Sequence, residues 1–272
     1  MDDRIAESLS RFGTISLDGL NSKAAMLERL DNKYIVPADR LLPAFAAFVD
    51  LFDVLEIGGK RAFTYATEYF DDPQAQGYYD HHQGRRKRCK VRIRNYIDAG
   101  FSYLEVKLKD VRDATVKKRL KLARPSHNLC TESLAFIDAC HSELYGTPLG
   151  RPLLPVIGME YERITLVARE GGERMTIDTG LAFRAANIER EAGPDMFILE
   201  TKSAKGNGIA DKILRSEHLH PTKNCSKYCV GMAALGLVDR HNRFLPAMRK
   251  LRLGEAVALA PTRAVPLQLA AA

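Results

Sequence analysis

Arg85-Arg-Lys-Arg-Cys-Lys-Val-Arg-Ile-Arg94 places seven basic residues in a stretch of ten, with no acid among them. A β-strand points successive side chains to opposite faces. Arg86, Arg88, Lys90, Arg92 and Arg94 are therefore predicted to share one face, with Cys89, Val91 and Ile93 on the other. Like charges two residues apart on a strand lie roughly 7 Å from one another. Such a pair costs about 0.6 kcal/mol in water and about 2.4 kcal/mol at an effective dielectric near 20. Two readings follow: a solvated edge strand whose cations discourage aggregation, or a sheltered row that needs an anion.

Other segments repeat the split. In Tyr103 to Lys109, Glu105, Lys107 and Lys109 oppose Leu104, Val106 and Leu108. Lys117, Arg119 and Lys121 oppose Val116, Leu120 and Leu122, with Lys118 as the exception. Arg174, Thr176 and Asp178 oppose Met175 and Ile177, and Arg163 sits between Tyr161 and Thr165. Arg29, Asp31 and Lys33 share one parity, and Glu200 and Lys202 another. Periodicity of this kind implies amphipathic strands of an antiparallel sheet and nothing about chemistry. The composition of the polar face, Arg and Lys with few carboxylates, is the discriminating feature. If such a sheet closes into a barrel with its charged face inward, its apolar face points out and must be covered by helices. Helices are predicted from Ala38 to Asp50, from a capping Thr131, over Ile209 to Leu214, and from Ser226 as N-cap to Leu237. The expected class is α+β.

The 272 residues suit one large domain over 23–240, with 1–22 as an N-terminal appendage and 241–272 as a partly disordered tail. No apolar run approaches the ~20 residues that span a bilayer, and the start is unlike a secretory signal, so a cytoplasmic protein without a membrane segment is expected. Cys89, Cys130, Cys140, Cys225 and Cys229 form no C-x-x-C pair, which argues against disulfides. His218, His220, Cys225 and Cys229 match no zinc-finger spacing, and His81-His82 reads as surface structure before it reads as an acid–base pair. The net charge of +7 implies a polyanionic partner. Trp is absent and the tyrosines fall mostly among apolar strand positions, so base-stacking platforms are not evident and no nucleic acid is expected. A phosphate-only ligand fits better.

A series of motifs carries a resemblance. It runs Arg29-x-x-x-Lys33-Tyr34, Tyr69-Phe-Asp71, Lys90-Val-Arg92-Ile-Arg94-x-Tyr96, Leu104-Glu-x-Lys107, Val116-Lys117-x-Arg119, Tyr161-x-Arg163, Arg174-x-x-x-Asp178-Thr179, Leu199-Glu200-x-Lys202 and Ser226-Lys227-Tyr228. In this order the motifs resemble the VTC (vacuolar transporter chaperone) domain, the polyphosphate polymerase branch of the triphosphate tunnel metalloenzymes, over about residues 23–238.

The resemblance implies a closed barrel of eight antiparallel strands with a basic lumen and helices packed outside. It implies that Arg92, Arg94, Lys107, Arg163 and Arg174 serve catalysis and that Lys33, Lys90, Lys117, Arg119, Lys202, Ser226 and Lys227 bind phosphates. Glu200 would hold Mn2+ or Mg2+, and Ser226 with Lys227 would close the tunnel mouth. In one departure, Asn224 stands where the family often has a basic residue, with Lys223 one place earlier. The implied reaction moves the terminal phosphate of ATP, or another triphosphate, to a growing polyphosphate chain. Two alternatives stay open: hydrolysis of a triphosphate or organophosphate, and a non-catalytic polyphosphate-binding module. Hydrolytic relatives tend to carry Glu-x-Glu-x-Lys in the first strand, which Glu28-Arg-Leu-Asp-Asn-Lys33 lacks. Asp178 is expected to pair with Arg174 or a neighbouring tunnel cation in preference to a metal, and Glu105 either to pair with Lys107 or to serve a metal or water.

Overall fold

A computed structural model describes residues 3–23, 30–110 and 114–259. Glu28 and Arg29, and the parts of the expected terminal segments at 1–2 and 260–272, lie outside the described residues.

Among the described residues twelve strands form one sheet. They are β1 (Gly13–Ile15), β2 (Leu30–Pro37), β3 (Phe52–Leu55), β4 (Ala62–Asp71), β5 (Arg88–Tyr96), β6 (Phe101–Lys109), β7 (Thr115–Leu122), β8 (Leu154–Ala168), β9 (Arg174–Ala185), β10 (Ile188–Glu191), β11 (Met196–Ser203) and β12 (Val257–Ala258). The helices are α1 (Asp3–Ser10), α2 (Leu17–Lys23), α3 (Ala38–Val49), α4 (Gln76–Gln83), α5 (Thr131–Tyr145), α6 (Ile209–Ser216), α7 (Lys227–Ala234) and α8 (Leu245–Lys250). An antiparallel path runs β2-β11-β9-β8-β4-β5-β6-β7. β10 and β12 extend from β9, β3 pairs with β8, and β1 joins β3 in parallel.

The α+β class holds, but the expected closed eight-stranded barrel is corrected: among the described residues no ladder joins β7 to β2. Curvature comes instead from irregular pairing. The β8–β9 register shifts around Tyr161, next to Gly180 at φ +61°, and the β4–β8 register shifts at Tyr69/Phe70. An extra residue on one strand bends it and increases its twist. The open sheet thus has a concave and a convex side.

The convex side buries the apolar parity. After the extended Pro37, α3 carries Leu41, Ala44, Phe45 and Phe48 at helical spacing. These pack with Ile5 and Leu9 of α1 and Leu214 of α6 on Tyr34, Val36, Ile177 and Leu199. α5 sets Ile137 and Cys140 on Val91, Ile93, Leu104 and Val106. Each such Phe, Leu or Ile contributes roughly 1.5–3 kcal/mol.

α7 is a second correction, because it packs on the concave side although helices were expected only outside. Its Tyr228, Val230 and Met232 join Ile35, Ile157, Met159, Phe183 and Ile198, all inward residues. Gly231 makes this seat possible, since a Cβ there would lie 2.5 Å from Phe183 and 2.6 Å from Ile157. Two local expectations also shift. Arg86 is exposed and precedes β5, and Thr131 is the first residue of α5, with Cys130 at the N-cap position. Among the described residues no helix is long and apolar enough to cross a membrane.

Candidate functional site

Strand register builds the site. Lys33, Glu200 and Thr176 stand side by side on β2, β11 and β9, and Asp31, Lys202 and Arg174 form the next row. Across β8 and β9, Arg163 stands opposite Asp178. On the other half, Tyr69, Arg92, Glu105 and Arg119 align on β4 to β7, next to the row Lys90, Lys107 and Lys117. The alternation legible in each strand therefore becomes one continuous charged surface on the concave side.

Three carboxylates organise the cations. Glu105, with its side chain 1% exposed, receives Arg92 Nε at 2.7 Å and Nη2 at 2.5 Å, pairs with Lys117, and has Arg94 Nη1 at 3.9 Å. Asp178, also 1% exposed, takes a bidentate pair from Arg163 at 2.6 and 2.7 Å and a further pair from Lys227. Glu200 is more open at 21% and pairs with Lys202 at 2.8 Å and Lys33 at 3.6 Å.

Tyrosines join these groups. Tyr69 OH accepts from Arg92 Nη1 at 2.7 Å, and Tyr161 OH accepts from Arg94 Nη2 at 3.0 Å. Tyr161 also lies under Arg163 and Lys227, at 5.3 and 4.8 Å from the ring centroid. At the start of α7, Ser226 caps the helix by accepting from Cys229 N at 3.4 Å, and it accepts from Lys90 Nζ at 3.0 Å.

The electrostatics show an excess of cations. Burial disfavours the Lys90 ammonium, Lys33, Arg88 and Arg92 add repulsion, and its pKa falls to about 8. Lys107 is solvent-accessible in the trough, yet desolvation with repulsion from Lys33 and Lys90 also brings it to about 8. Desolvation, Arg92 and Arg94 outweigh Glu105 at Lys117, again giving about 8. Burial would raise the carboxylates, but their cations hold all three below the ordinary range: Arg92, Arg94 and Lys117 at Glu105, Arg163 and Lys227 at Asp178, Lys202 and Lys33 at Glu200. At Lys33 burial opposes the charge, but Glu200 overcomes it and the pKa is raised. A surface with this imbalance is complementary to a multivalent anion.

The family model of the VTC domain matches residues 28–236 of this chain. The chain belongs to the VTC domain family. No curated protein matches it. Among solved structures it is similar to HpAC1 from Hippeastrum, described as having a dominant triphosphatase activity, at 13% identity and TM-score 0.44, over 80% of this chain and 100% of that one. It is also similar to the PH1819 protein from Pyrococcus horikoshii OT3, at 12% identity and TM-score 0.43, over 75% of this chain and 99% of that one. At these levels neither likeness bears on activity.

Within this VTC domain, Lys33, Lys90, Arg92, Arg94, Lys107, Lys117, Arg163, Arg174, Lys202, Lys227, Ser226 and Glu200 all fall on the concave surface or at its α7 end. Arg119 shares that face, opposite Glu105 in the β6–β7 register, but it is exposed on β7 and its guanidinium lies over the Tyr103 ring at 4.8 Å. Asn224 takes a left-handed φ of +55° and lines, with Lys223, a cavity beside Ser226. Tyr69 and Tyr161 were missing from the expected site residues, although Tyr161 shares the parity of Arg163 two places on. Among the described residues no three His, Cys, Asp or Glu side chains come together as a metal cluster, and His218, His220, Cys225 and Cys229 are no exception.

Proposed function

We propose that this VTC domain is a phosphotransferase that moves the terminal phosphate of ATP, or another nucleoside triphosphate, onto a polyphosphate chain held in the concave trough. The observation that carries the reading is the ratio of charges: Lys33, Lys90, Arg92, Arg94, Lys107, Lys117, Arg163, Arg174, Lys202 and Lys227 share the concave side with the carboxylates of Asp31, Glu105, Asp178 and Glu200. Phosphoryl transfer passes through a loose transition state, so catalysis consists mainly of in-line positioning and of neutralising equatorial oxygens. The attacking group is an ionised phosphate, and no protein nucleophile is required.

In this reading the cations do different work. Arg92, Arg94 and Arg163 have fixed guanidinium planes, braced by Glu105, Tyr161 and Asp178, which suits them to orient phosphate oxygens. Lys90, Lys107 and Lys117, with pKa values of about 8, gain charge stabilisation when an anion enters. Lys90 and Ser226 hold the α7 end of the trough.

The residues present fit a divalent cation of the kind held by one carboxylate together with substrate phosphates and waters, as Mg2+ commonly is. Glu200 suits that role because its side chain is 21% exposed while those of Glu105 and Asp178 are 1% exposed. Such an ion would supply charge neutralisation on the phosphates. The test is incubation of purified protein with ATP and Mn2+, with phosphate chains resolved on a gel and free phosphate assayed alongside. Chains formed by the native protein and absent with Glu200→Ala are expected. Orthophosphate without chains would establish a hydrolase instead, and neither product would leave a binding module.

A further inference from the structure

The aromatic side chains at the turn end of the β5–β6 hairpin have no part in the reading above. Strand register sets Tyr161, Tyr65, Tyr96 and Phe101 side by side on β8, β4, β5 and β6, and Arg94, Tyr103 and Lys121 form the next row on β5, β6 and β7. On β5 and β6 these residues share the parity of Arg92 and Glu105, so their rings lie on the concave side and continue it beyond Arg94. Base-stacking platforms were not evident in the sequence because the rings come from separate strands and meet only through their register.

Core packing does not account for them. Tyr96, Phe101 and Tyr103 are half-buried and belong to none of the buried apolar clusters among the described residues. α7 packs beside Ile157 and Met159, which stand opposite Tyr69 and Thr67 toward the other end of β4. The rings instead hold one another and hold cations. Tyr65 stacks on Tyr161 with centroids 5.7 Å apart and planes 3° from parallel, Tyr96 stacks on Phe101 at 4.7 Å, and Tyr103 meets both of the latter edge-on at 6.0 and 5.7 Å. Arg94 and Arg163 lie over Tyr65 at 5.5 and 5.2 Å, while the exposed Arg119 and Lys121 lie over Tyr103 at 4.8 Å and Phe101 at 5.6 Å. The turn beneath is fixed, because Asp98 pairs with Lys60 at 2.7 Å and accepts from Thr64 N of β4 at 2.7 Å.

Cations interleaved with partly exposed rings suit a nucleobase, since every base has a π-face that stacks on an aromatic ring or on an Arg plane. The phosphate-binding surface starts close by: the row Arg92, Glu105 and Arg119 lies roughly 7 Å from the row Arg94, Tyr103 and Lys121. A ligand that joins a planar base to a run of phosphates matches both surfaces at once. A polyphosphate chain matches only the charged one.

We propose that this aromatic shelf binds the base of a nucleoside triphosphate, with Tyr103 and Arg119 as the stacking pair and Tyr96 and Phe101 as its backing, so that the triphosphate enters the trough from the Arg94 end. Stacking is tolerant of base identity. The shelf therefore reads the presence of a base, and adenine and guanine triphosphates are treated alike. The inference rests on the phosphate-trough reading in that the triphosphate must lie beside the shelf, and it does not require transfer to a chain.

Methyl triphosphate is the discriminating probe, since it carries the charge of ATP and no base. Calorimetric affinities for ATP and methyl triphosphate, measured without divalent metal so that no turnover intervenes, are to be compared for the native protein, Tyr103→Ala and Arg119→Lys. The native protein is expected to prefer ATP by about ten-fold or more, the worth of one stacked base. Tyr103→Ala should bind ATP no better than methyl triphosphate and keep the native affinity for the latter. Arg119→Lys, which keeps the charge and loses the plane, should lose part of the ATP preference and none of the methyl triphosphate affinity. Nuclear Overhauser contacts between adenine protons and tyrosine or phenylalanine ring protons of the native protein test the shelf even if a variant fails to fold. Equal native affinity for the two triphosphates, or an undiminished ATP preference in Tyr103→Ala, would overturn the shelf and leave the trough standing. Binding of neither triphosphate would overturn the trough and the shelf with it, and tighter binding of a short single-stranded oligonucleotide than of ATP would replace the nucleotide with a nucleic acid. Absence of chain synthesis with the ATP preference intact would overturn only the proposed activity.

Discussion

Glu105→Gln removes one negative charge from beneath Arg92, Arg94 and Lys117 while keeping the side-chain shape. In the native protein the 1%-exposed carboxylate contacts Arg92 at 2.5 Å and stands 3.9 Å from Arg94. At an effective dielectric near 20, opposite unit charges 4 Å apart attract by about 4 kcal/mol, and removing one member of a buried pair typically costs about 3–5 kcal/mol because the partner is left uncompensated. Domains of 150–250 residues lose roughly 2–4 °C of Tm per kcal/mol, so a fall of roughly 6–20 °C is expected. Added tripolyphosphate should return much of that loss, because the ligand supplies the charge that the variant lacks. The variant should therefore gain more from the ligand than the native protein does, and should bind it more tightly. Thermal unfolding at low salt, with and without tripolyphosphate, reads both effects. A variant within about 2 °C of the native Tm, or equal ligand protection of the two proteins, would refute the view that Glu105 is a counter-charge standing where a phosphate acts.

Tripolyphosphate at 100 times its Kd should stabilise the native protein by about 2.7 kcal/mol; a Tm indifferent to it at low salt would remove the trough as an anion site. Arg94→Ala takes away a buried guanidinium that holds Tyr161 OH at 3.0 Å, and calorimetry should show about 1.5–3 kcal/mol less phosphate affinity. The lysines give a pH signature. Lys90, Lys107 and Lys117 titrate near 8 in the folded chain and near 10.4 when unfolded. Between those values the unfolded state binds more protons, so their contribution to stability rises with pH across that window while phosphate affinity falls; parallel unfolding and binding titrations check both signs. Gly231→Ala sets a Cβ 2.5 Å from Phe183 and 2.6 Å from Ile157, and overpacking of this kind should lower stability by about 1–3 kcal/mol in denaturant unfolding, whereas Gly171→Ala, with no neighbour in range but φ +75°, reports backbone strain alone.

Much of the charged surface was legible because parity in a strand is a local property. Lys90, Arg92 and Arg94 had to share a face once β5 formed, whatever lay beside it. Edge pairing is not local. Alternation in β2 and β7 says nothing about whether those strands meet, and the bulges that set the curvature depend on how Tyr161 is matched against Gly180 across two strands. The partners of Glu105 were equally hidden. Lys107 is its neighbour two places on, but Arg92 and Lys117 reach it through the pairing of β5, β6 and β7.

The position of α7 did leave a trace in the sequence. Lys227-Tyr-Cys-Val-Gly-Met-Ala-Ala234 has no polar face after its first residue, and a helix apolar all round is buried on all sides. The inward parity of the strands carries the matching signal, because it changes character along their length. On β2 it runs Asp31, Lys33, Ile35; on β11, Lys202, Glu200, Ile198; on β8, Arg163, Tyr161, Met159, Ile157. Each strand passes from charged to apolar, and the apolar ends gather around α7. Ser226, Lys227 and Lys90 stand at that changeover, so the α7 N-terminus forms the floor of the charged trough. The position of the floor follows from the changeover within each strand, a feature that a face-by-face reading of alternation passes over.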